Sequence, residues 1–352
     1  MNLLRYANTE INLNREADGM LAAFVSVLFK PIRAGIAVFM ALAAVFGGIF
    51  GFEKAEISHK NDGCLASFAV ISDTHLTDAN GRREVLEIGL EDMSKAKDKL
   101  NALVVCGDIT DHGKITEWES FALAMSRYDT SENDIMVIGN HDTWGSDDLS
   151  VTKENFIEYN KLATGREING VYYSTQINGC PAIVLGSEGD HTYATVSDAQ
   201  IEWFAQQMQA ASQTGKPIFV FFHQPINDTH GLPYTWEMNK EDEPGTGGIG
   251  DASDRILEII KQYKNVFYIS GHIHAGFSKG EGKTVYSSVE KYDGYTLVNT
   301  PSYMYSDFLR GGNFLNGTGY VVEVYENEVI FRARNFISGI WQPRYDETVE
   351  LK

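Results

Sequence analysis

Cysteine is scarce in this sequence, which has three in 352 residues: Cys64, Cys106 and Cys180. The number is odd, and no two of them have the CxxC spacing of redox and zinc motifs. The pattern fits neither a disulfide framework nor a thiolate zinc site. We therefore expect the three thiols to be small hydrophobic side chains of the core.

The sequence also lacks an excess of positive charge. It has 29 lysines and arginines against 48 aspartates and glutamates, so the net charge is −19 and the isoelectric point is about 4.8. Surfaces that bind nucleic acids are usually basic, so this balance argues against binding to polyanions. With 43% hydrophobic and 12% aromatic residues, the composition is that of a globular protein.

One long hydrophobic run is present, at residues 34–52, where 19 residues contain no charge. A helix of about 20 apolar residues spans a bilayer core. Lys30 and Arg33 precede the run, and positively charged flanks stay in the cytoplasm. We predict a cytoplasmic segment at 1–33, a transmembrane helix or signal peptide at 34–52, and the rest of the chain outside the cytoplasm, membrane-anchored or secreted. Because no clean cleavage site follows, anchor and cleaved signal both stay open, as does a buried helix of a soluble domain.

A polar linker is predicted at residues 53–63, followed by one globular domain at 64–352. In this domain, apolar runs of strand length alternate with helical patterns such as Leu86, Leu90 and Met93. The pair Asn178-Gly179 lies between two strand patterns and predicts a hairpin. From residue 284 onward, strand patterns follow one another without helices. This order predicts an α/β fold with a mixed or double sheet.

Short polar clusters follow five of the predicted strands. Sites in α/β sheets form at the carboxyl ends of strands, so we expect these clusters to converge. Five of the nine histidines lie in them, which a random distribution would not produce. The clusters contain Asp73 and His75; Asp108 and Asp111; Asn140, His141 and Asp142; His223; and His272 and His274.

The residue types in these clusters indicate a metal site. Carboxylate oxygens and imidazole nitrogens without thiolates suit Mn²⁺, Fe²⁺ or Zn²⁺, and the ligand set does not choose among these ions. We expect the other four histidines at the surface or behind the site; they are His59, His112, His191 and His230.

The motifs resemble those of the calcineurin-like metallophosphoesterase superfamily. They read Asp73-x-His75, Gly107-Asp108-x-x-Asp111, Gly139-Asn140-His141-Asp142, His223 and Gly271-His272-x-His274. The resemblance implies a four-layer α/β/β/α sandwich, here preceded by an N-terminal hydrophobic helix and extended by C-terminal edge strands. It also implies two divalent metal ions. One would be held by Asp73, His75, Asp108 and His274, and the other by Asp108, Asn140, His223 and His272.

The resemblance further implies hydrolysis of phosphoester bonds. A metal-bridging hydroxide would attack phosphorus in line with the leaving oxygen. His141 would be the general acid, and Asp142 would orient it. For Asp111, support of a ligand and capping of its loop both stay open. The substrate would be a small phosphodiester or phosphomonoester. The segment 107–113 is most similar to the small phosphodiesterase branch, which includes class III cyclic-nucleotide phosphodiesterases.

Two other functions stay open on the sequence. The first is a metal-dependent nuclease of the same superfamily, which the acidic charge opposes. The second is a non-catalytic relative that binds partners, although every expected ligand is present here. The oligomeric state is not indicated.

Two further features concern the substrate. Residues 227–250 form a polar insertion that is expected to be a flexible loop or a lid, and its GxGxxG spelling has no strand before it. Four aromatic side chains are candidates either for stacking on a base or sugar or for ordinary packing; they are Trp144, Trp236, Tyr303 and Tyr305.

Overall fold

A computed structural model describes residues 53–231, 247–281, 285–304 and 316–352. The chain divides into two units, Met1–Lys54 and Ala55–Lys352. In the first unit, the described residues Glu53–Lys54 form the short strand β1. The hydrophobic run at 34–52 lies outside the described residues. Within the part that is described, no helix combines the length and apolarity needed to cross a membrane.

The second unit contains five α-helices and thirteen strands in its described part. The helices are α1 (Asn80–Ser94), α2 (Ile115–Met125), α3 (Leu149–Thr164), α4 (Asp198–Ser212) and α5 (Ser253–Ile260). The first strands are β2 (Ala66–Ile71), β3 (Ala102–Cys106), β4 (Asp134–Val137), β5 (Tyr173–Ile177), β6 (Cys180–Val184) and β7 (Ile218–Phe221). The others are β8 (Val266–Ser270), β9 (Val289–Lys291), β10 (Tyr295–Asn299), β11 (Thr318–Val324), β12 (Glu328–Asn335), β13 (Ile340–Trp341) and β14 (Glu347–Glu350).

The strands form two mixed sheets. Within Ala55–Lys352, the first sheet has the order β13-β12-β11-β2-β3-β4, with β14 paired to β12. The second has the order β5-β6-β7-β8-β10-β9. The strands β2, β3 and β4 are parallel, as are β6, β7, β8 and β10. The predicted hairpin at Asn178-Gly179 is confirmed: both residues have positive φ, 44° and 80°, as a tight hairpin turn requires.

The two sheets pack face to face through aromatic side chains. The ring of Phe68 in β2 lies 4.9 Å from Phe219 and 6.4 Å from Phe221, both in β7. Successive strand residues point to opposite faces, so Val220 packs on the other side, in the cluster that contains Phe204 of α4. The helices α1 to α3 cover the first sheet and share its core. The second unit is therefore built of four layers in the order helix, sheet, sheet, helix. This confirms the predicted α/β class with two sheets.

The C-terminal strands do more than extend an edge. Strand β11 lies inside the first sheet, between β12 and β2, and all seven of its residues are buried. Its Val322 pairs with Phe68 across some 250 residues of sequence. The residues predicted as a linker also contact the domain, since the backbone N–H of Lys60 donates to both carboxylate oxygens of Glu323, at 3.2 and 3.0 Å.

The described part of the chain includes all three cysteines, and none forms a disulfide. Cys106 and Cys180 are buried, as expected, while Cys64 is partly exposed. Burial raises the pKa of the Cys106 thiol well above its usual value, which keeps it protonated. Cys106 and Cys180 therefore act as hydrophobic side chains of the core, while the Cys64 thiol donates a hydrogen bond to the carbonyl of Ala66.

Candidate metal centre

Five loops meet where the parallel strands of both sheets end. The loops follow β2, β3 and β4 in the first sheet and β7 and β8 in the second. His274 Nε2 lies 3.3 Å from Asp73 Oδ1 and 2.9 Å from His75 Nε2. His223 Nε2 lies 3.1 Å from Asp108 Oδ2. Side chains that are up to 201 residues apart in sequence therefore form one cluster.

The possible ligand atoms fall into three groups, of which two share Asp108 and the third contains His75, Asp111 and His141. Of the two that share Asp108, one contains Asp73, His75, Asp108 and His274, and the other contains Asp108, His223 and His272; in each, the atoms lie within 4.8 Å of one another. The arrangement divides these side chains as the resemblance implies. Asn140 follows β4, beside them, at the start of a short 3₁₀ helix, His141–Thr143. Their roles as ligands stay predictions, which these positions favour.

Three buried polar atoms of the cluster make no well-directed hydrogen bond to any described residue: Asp108 Oδ2, Asn140 Oδ1 and His223 Nε2. Asp108 Oδ2 and His223 Nε2 lie 3.1 Å apart and attract each other as an ion pair, and only Asn140 Oδ1 lacks even such a partner among the described residues. Buried polar atoms nearly always have partners, and each orphan costs about 1–3 kcal/mol. Divalent cations would bind all three, and an oxygen and nitrogen donor set without thiolates suits Mn²⁺, Fe²⁺ and Zn²⁺. The residues present therefore fit a pair of divalent cations.

The cluster holds buried negative charge. Burial alone raises the pKa of a carboxyl group, but His274 beside Asp73 and His223 beside Asp108 outweigh it and lower both pKa values. Burial likewise disfavours the charged form of His223, yet the Asp108 carboxylate outweighs it and raises the pKa of His223 to about 9. Positive charge, as proton or as metal ion, is therefore favoured at the centre of the cluster.

The backbone of the loops is turned sharply to aim these side chains inward. Asp73, His75, Asp108, His272 and His274 all have φ between 43° and 71°. Residues other than glycine rarely adopt this left-handed conformation, and it concentrates at functional sites. Neighbouring loops hold the conformation, because the backbone N–H of His75 donates to the carbonyl of Asp108 at 2.9 Å.

Glycine is required where two of these loops touch. Gly107 has φ of 88°, and a Cβ atom there would collide with the ring of His223. A Cβ atom at Gly139 would collide with the backbone nitrogen and Oδ1 of Asp108. Both glycines allow a backbone approach that a side chain would prevent.

Asp111 supports His75 from behind. Its Oδ1 lies 3.2 Å from His75 Nδ1 and 2.9 Å from Arg82 Nη1, and Arg82 also donates to the carbonyl of His75 at 2.5 Å. Burial would raise the pKa of Asp111, but His75 and Arg82 outweigh it and hold the pKa well below its usual value. A carboxylate on the outer nitrogen of a metal-binding histidine directs the other nitrogen to the metal. Of the two roles left open for Asp111, the structure favours support of a ligand.

His141 lies beside the cluster with its ring oriented by the main chain. Its Nδ1 donates to the carbonyl of Asp111 at 2.7 Å, and its backbone N–H donates to Asp108 Oδ1 at 2.9 Å. The ring meets that of His75 edge-on, with centroids 4.6 Å apart. Because Nδ1 donates to the Asp111 carbonyl, Nε2 is the ring nitrogen that can exchange a proton with a substrate.

Asp142 differs from its expected role. Its Oδ1 accepts hydrogen bonds from Thr110, and its Oδ2 accepts them from the backbone N–H groups of Gly139 and Ile109. Burial, together with the nearby Asp108 carboxylate, raises the pKa of Asp142 to about 6. The Asp111 carbonyl, not Asp142, orients the His141 ring. Asp142 connects the loop after β3 with the loop after β4. The spacing of residues in the sequence does not predict this contact.

Arg82 was missed from the sequence, because no pattern relates the first turn of α1 to the loop that carries Asp111. Of the other expected features, Trp236 and Tyr305 lie outside the described residues, as does most of the insertion at 227–250. Tyr303 is fully buried and donates to the carbonyl of Val85 at 3.1 Å, so its position is that of a packed core residue.

Comparisons with known proteins agree with this architecture. A dimetal phosphatase from Danio rerio has a similar structure, with a TM-score of 0.53 and 12% identity over 82% of this chain and 100% of that one. The purple acid phosphatase PPD1 from yellow lupin (Lupinus luteus) also has a TM-score of 0.53, with 11% identity over 81% of this chain and 53% of that one. The chain thus spans about half of the lupin protein. At such identities the likeness concerns the fold alone.

A comparison with curated proteins gives no match. The profile of the calcineurin-like phosphoesterase family, by contrast, matches residues 66–276, more than half of the chain. This range contains both groups of side chains that share Asp108. The chain therefore belongs to the calcineurin-like phosphoesterase family.

Proposed function

We propose that this protein hydrolyses small phosphoesters with two divalent cations held by the cluster around Asp108. The observation that carries the proposal is that Asp108 belongs to two of the ligand groups and has a buried oxygen without a hydrogen bond. One cation would be bound by Asp73, His75, Asp108 and His274. The other would be bound by Asp108, Asn140, His223 and His272. Such a pair neutralises phosphoryl oxygens and lowers the pKa of water.

The protein's own groups would position the substrate and move the proton. His141 is placed to carry a proton on Nε2 toward the leaving oxygen, because its Nδ1 is already held by the Asp111 carbonyl. The ring contact with His75 keeps this nitrogen beside the cluster. A general acid of this kind contributes roughly 10²–10⁴ in rate. Asp142 acts through the loops and is a positioning residue.

The test compares two variants with matched controls. Asp108→Asn removes the shared charge, and His141→Gln removes the proposed acid while leaving the two groups that share Asp108 intact. Turnover of 4-nitrophenyl phosphate and bis(4-nitrophenyl) phosphate is measured with Mn²⁺, Fe²⁺ and Zn²⁺, together with bound metal per chain. We expect Asp108→Asn to lose metal and activity, and His141→Gln to keep metal and lose activity by 10²–10⁴.

The controls are Asp129→Asn and His59→Gln, which change exposed or half-exposed ion pairs with Lys99 and Asp98. Both controls should keep wild-type turnover. Wild-type turnover in Asp108→Asn and His141→Gln as well would contradict the proposal. Fewer than about one bound metal ion per chain in the wild type would instead support a non-catalytic relative.

The two substrates also separate a phosphomonoesterase from a phosphodiesterase. We infer diester hydrolysis from the similarity of the segment 107–113 to the small phosphodiesterase branch. Faster turnover of the monoester would contradict this preference. Cleavage of single- or double-stranded DNA with Mn²⁺ would support a nuclease, which the net charge of −19 opposes.

We also propose that the catalytic domain lies outside the cytoplasm, tethered or released by the segment at 34–52. The proposal rests on the uncharged run and on Lys30 and Arg33 before it. Protease added to intact cells should digest the domain if it is anchored, and the culture medium should contain it if it is secreted. A domain that is protected in intact cells and recovered with the cytoplasmic fraction would contradict this location.

A further inference from the structure

A row of aromatic rings leads from the buried cluster to the surface. The rings of His75 and His141 have centroids 4.6 Å apart, those of His141 and Trp144 lie 5.2 Å apart, and those of Trp144 and His191 lie 4.7 Å apart. Exposure rises along the row, from 1% at His75 to 46% at Trp144. The row therefore passes from a predicted metal ligand, through the proposed acid, to an indole in contact with solvent.

Trp144 is held in place by its backbone. Its N–H donates to the carbonyl of His141 at 3.2 Å, at the end of the 3₁₀ helix that carries His141. The next residue, Gly145, packs so closely against the backbone of Gly113 that a Cβ atom there would collide. The backbone of Trp144 is thus fixed relative to His141, and the ring contacts with His141 and His191 restrict the indole, which limits the entropy lost when a ligand binds.

The surroundings of Trp144 are those of a binding surface and not of the core. The buried Trp118 stacks on Tyr159 at 5.9 Å and is fully enclosed. Trp144 instead has imidazoles as its ring neighbours: His191 parallel to it, within 5°, and His112 tilted at 5.4 Å. His191 covers part of the indole, and the 46% of Trp144 that is exposed leaves room for another flat ring to join this stack.

We propose that Trp144, His112 and His191 form a subsite for the base of a nucleoside phosphate whose phosphoryl group lies at the cation centre. This inference rests on the proposed function. Because Trp144 contacts His141, the subsite lies on the side of the leaving group.

The parallel rings of Trp144 and His191 favour a planar ring that extends the stack. The carboxylates of Asp111 and Glu117 lie within 3.7 Å of His112, so a cationic headgroup is the competing ligand that the test includes. Trp144 is a specificity-determining residue here and takes no part in the proton transfer.

The test measures equilibrium binding, so it does not depend on turnover. Isothermal titration calorimetry of the Mn²⁺-loaded protein uses three phosphonates in which a methylene replaces the ester oxygen: those of adenosine 5′-phosphate, ribose 5-phosphate and phosphocholine. We expect the adenosine compound to bind about tenfold more tightly than the ribose compound, a gain typical of stacking on an aromatic side chain. Trp144→Leu should reduce the ratio to about one, and Trp144→Phe should retain part of it.

The matched control is Trp203→Leu, which removes a half-buried indole that packs on Tyr172. It should leave the ratio at its wild-type value. The proposal is overturned if the adenosine and ribose compounds bind equally to the wild type, if the choline compound binds most tightly, or if Trp144→Leu keeps the ratio. Loss of the proposed function is seen separately, as absent hydrolysis of both nitrophenyl substrates.

Discussion

The carboxylate of Asp142 accepts two hydrogen bonds from Thr110, one from the backbone N–H at 2.8 Å and one from the hydroxyl at 2.7 Å. Its second oxygen accepts a hydrogen bond from the backbone N–H of Gly139, also at 2.8 Å. Thr110 follows Asp108, and Gly139 precedes Asn140. One buried carboxylate therefore connects the loops that carry two of the predicted metal ligands.

We expect Asp142→Ala to lower the free energy of unfolding by about 3 kcal/mol, because it leaves several buried donors without an acceptor. Urea unfolding of the metal-free protein measures the loss. Asp129→Asn, at an exposed position, should change stability by less than about 0.5 kcal/mol. Equal stability of Asp142→Ala and the wild type would show that the two loops do not depend on this contact.

Asp111→Ala should weaken metal binding about 10–100-fold, since the carboxylate that supports His75 is lost. Arg82→Met should weaken it to a smaller extent, because Arg82 contacts the Asp111 carboxylate and the backbone carbonyl of His75, whereas Asp111 holds the His75 ring nitrogen. Competition with a chelator for Mn²⁺ gives both affinities without an activity assay. As a control, Lys114→Met breaks the exposed ion pair with Asp78 and should leave the affinity unchanged. Wild-type affinity in Asp111→Ala would rule out this support.

Bound cations should stabilise the fold, because they bind buried atoms that otherwise make no hydrogen bond. At a free cation concentration of 100 times Kd, linkage predicts about 2.7 kcal/mol per site. Thermal unfolding with Mn²⁺ and with a chelator measures the shift in Tm. In Asp108→Asn the shift should nearly vanish; a full shift in that variant would place the cations elsewhere.

The ion pair between Arg334 and Asp92 shares no residue with the cluster and should matter for stability and not for catalysis. Arg334 in β12 is fully buried and donates to both oxygens of Asp92 in α1, each at 2.8 Å, with its guanidinium 4.5 Å from the centre of the Trp341 ring. We expect Asp92→Ala to cost about 3 kcal/mol, since it leaves a buried charge unpaired. Turnover at 25 °C should stay within twofold of the wild type. A large loss of turnover in folded Asp92→Ala would falsify the separation of the two roles.

Much of the architecture was predictable from local patterns. Most apolar runs of strand length coincide with strands of the structure, because burial of both faces of a strand requires consecutive apolar residues. The Asn178-Gly179 turn was predictable because both residues tolerate positive φ. The helical pattern that includes Leu86 lies in a helix that spans Asn80–Ser94. The helix ends there because the N–H of Lys97 bonds to the carbonyl of Ile57. That bond is a distant contact with no local signal.

The sequence by itself determined which residues stand at the strand ends: the polar clusters that include Asp73, Asp108 and His223 follow apolar runs, and that order is written along the chain. Only the tertiary structure decided that Asp142 connects loops, that Arg82 supports Asp111, and that β11 enters the sheet beside β2. The physical reason is the distance along the chain over which each effect acts. Side-chain periodicity and turn preferences act over a few residues, whereas partners across loops exist only after two sheets have packed together.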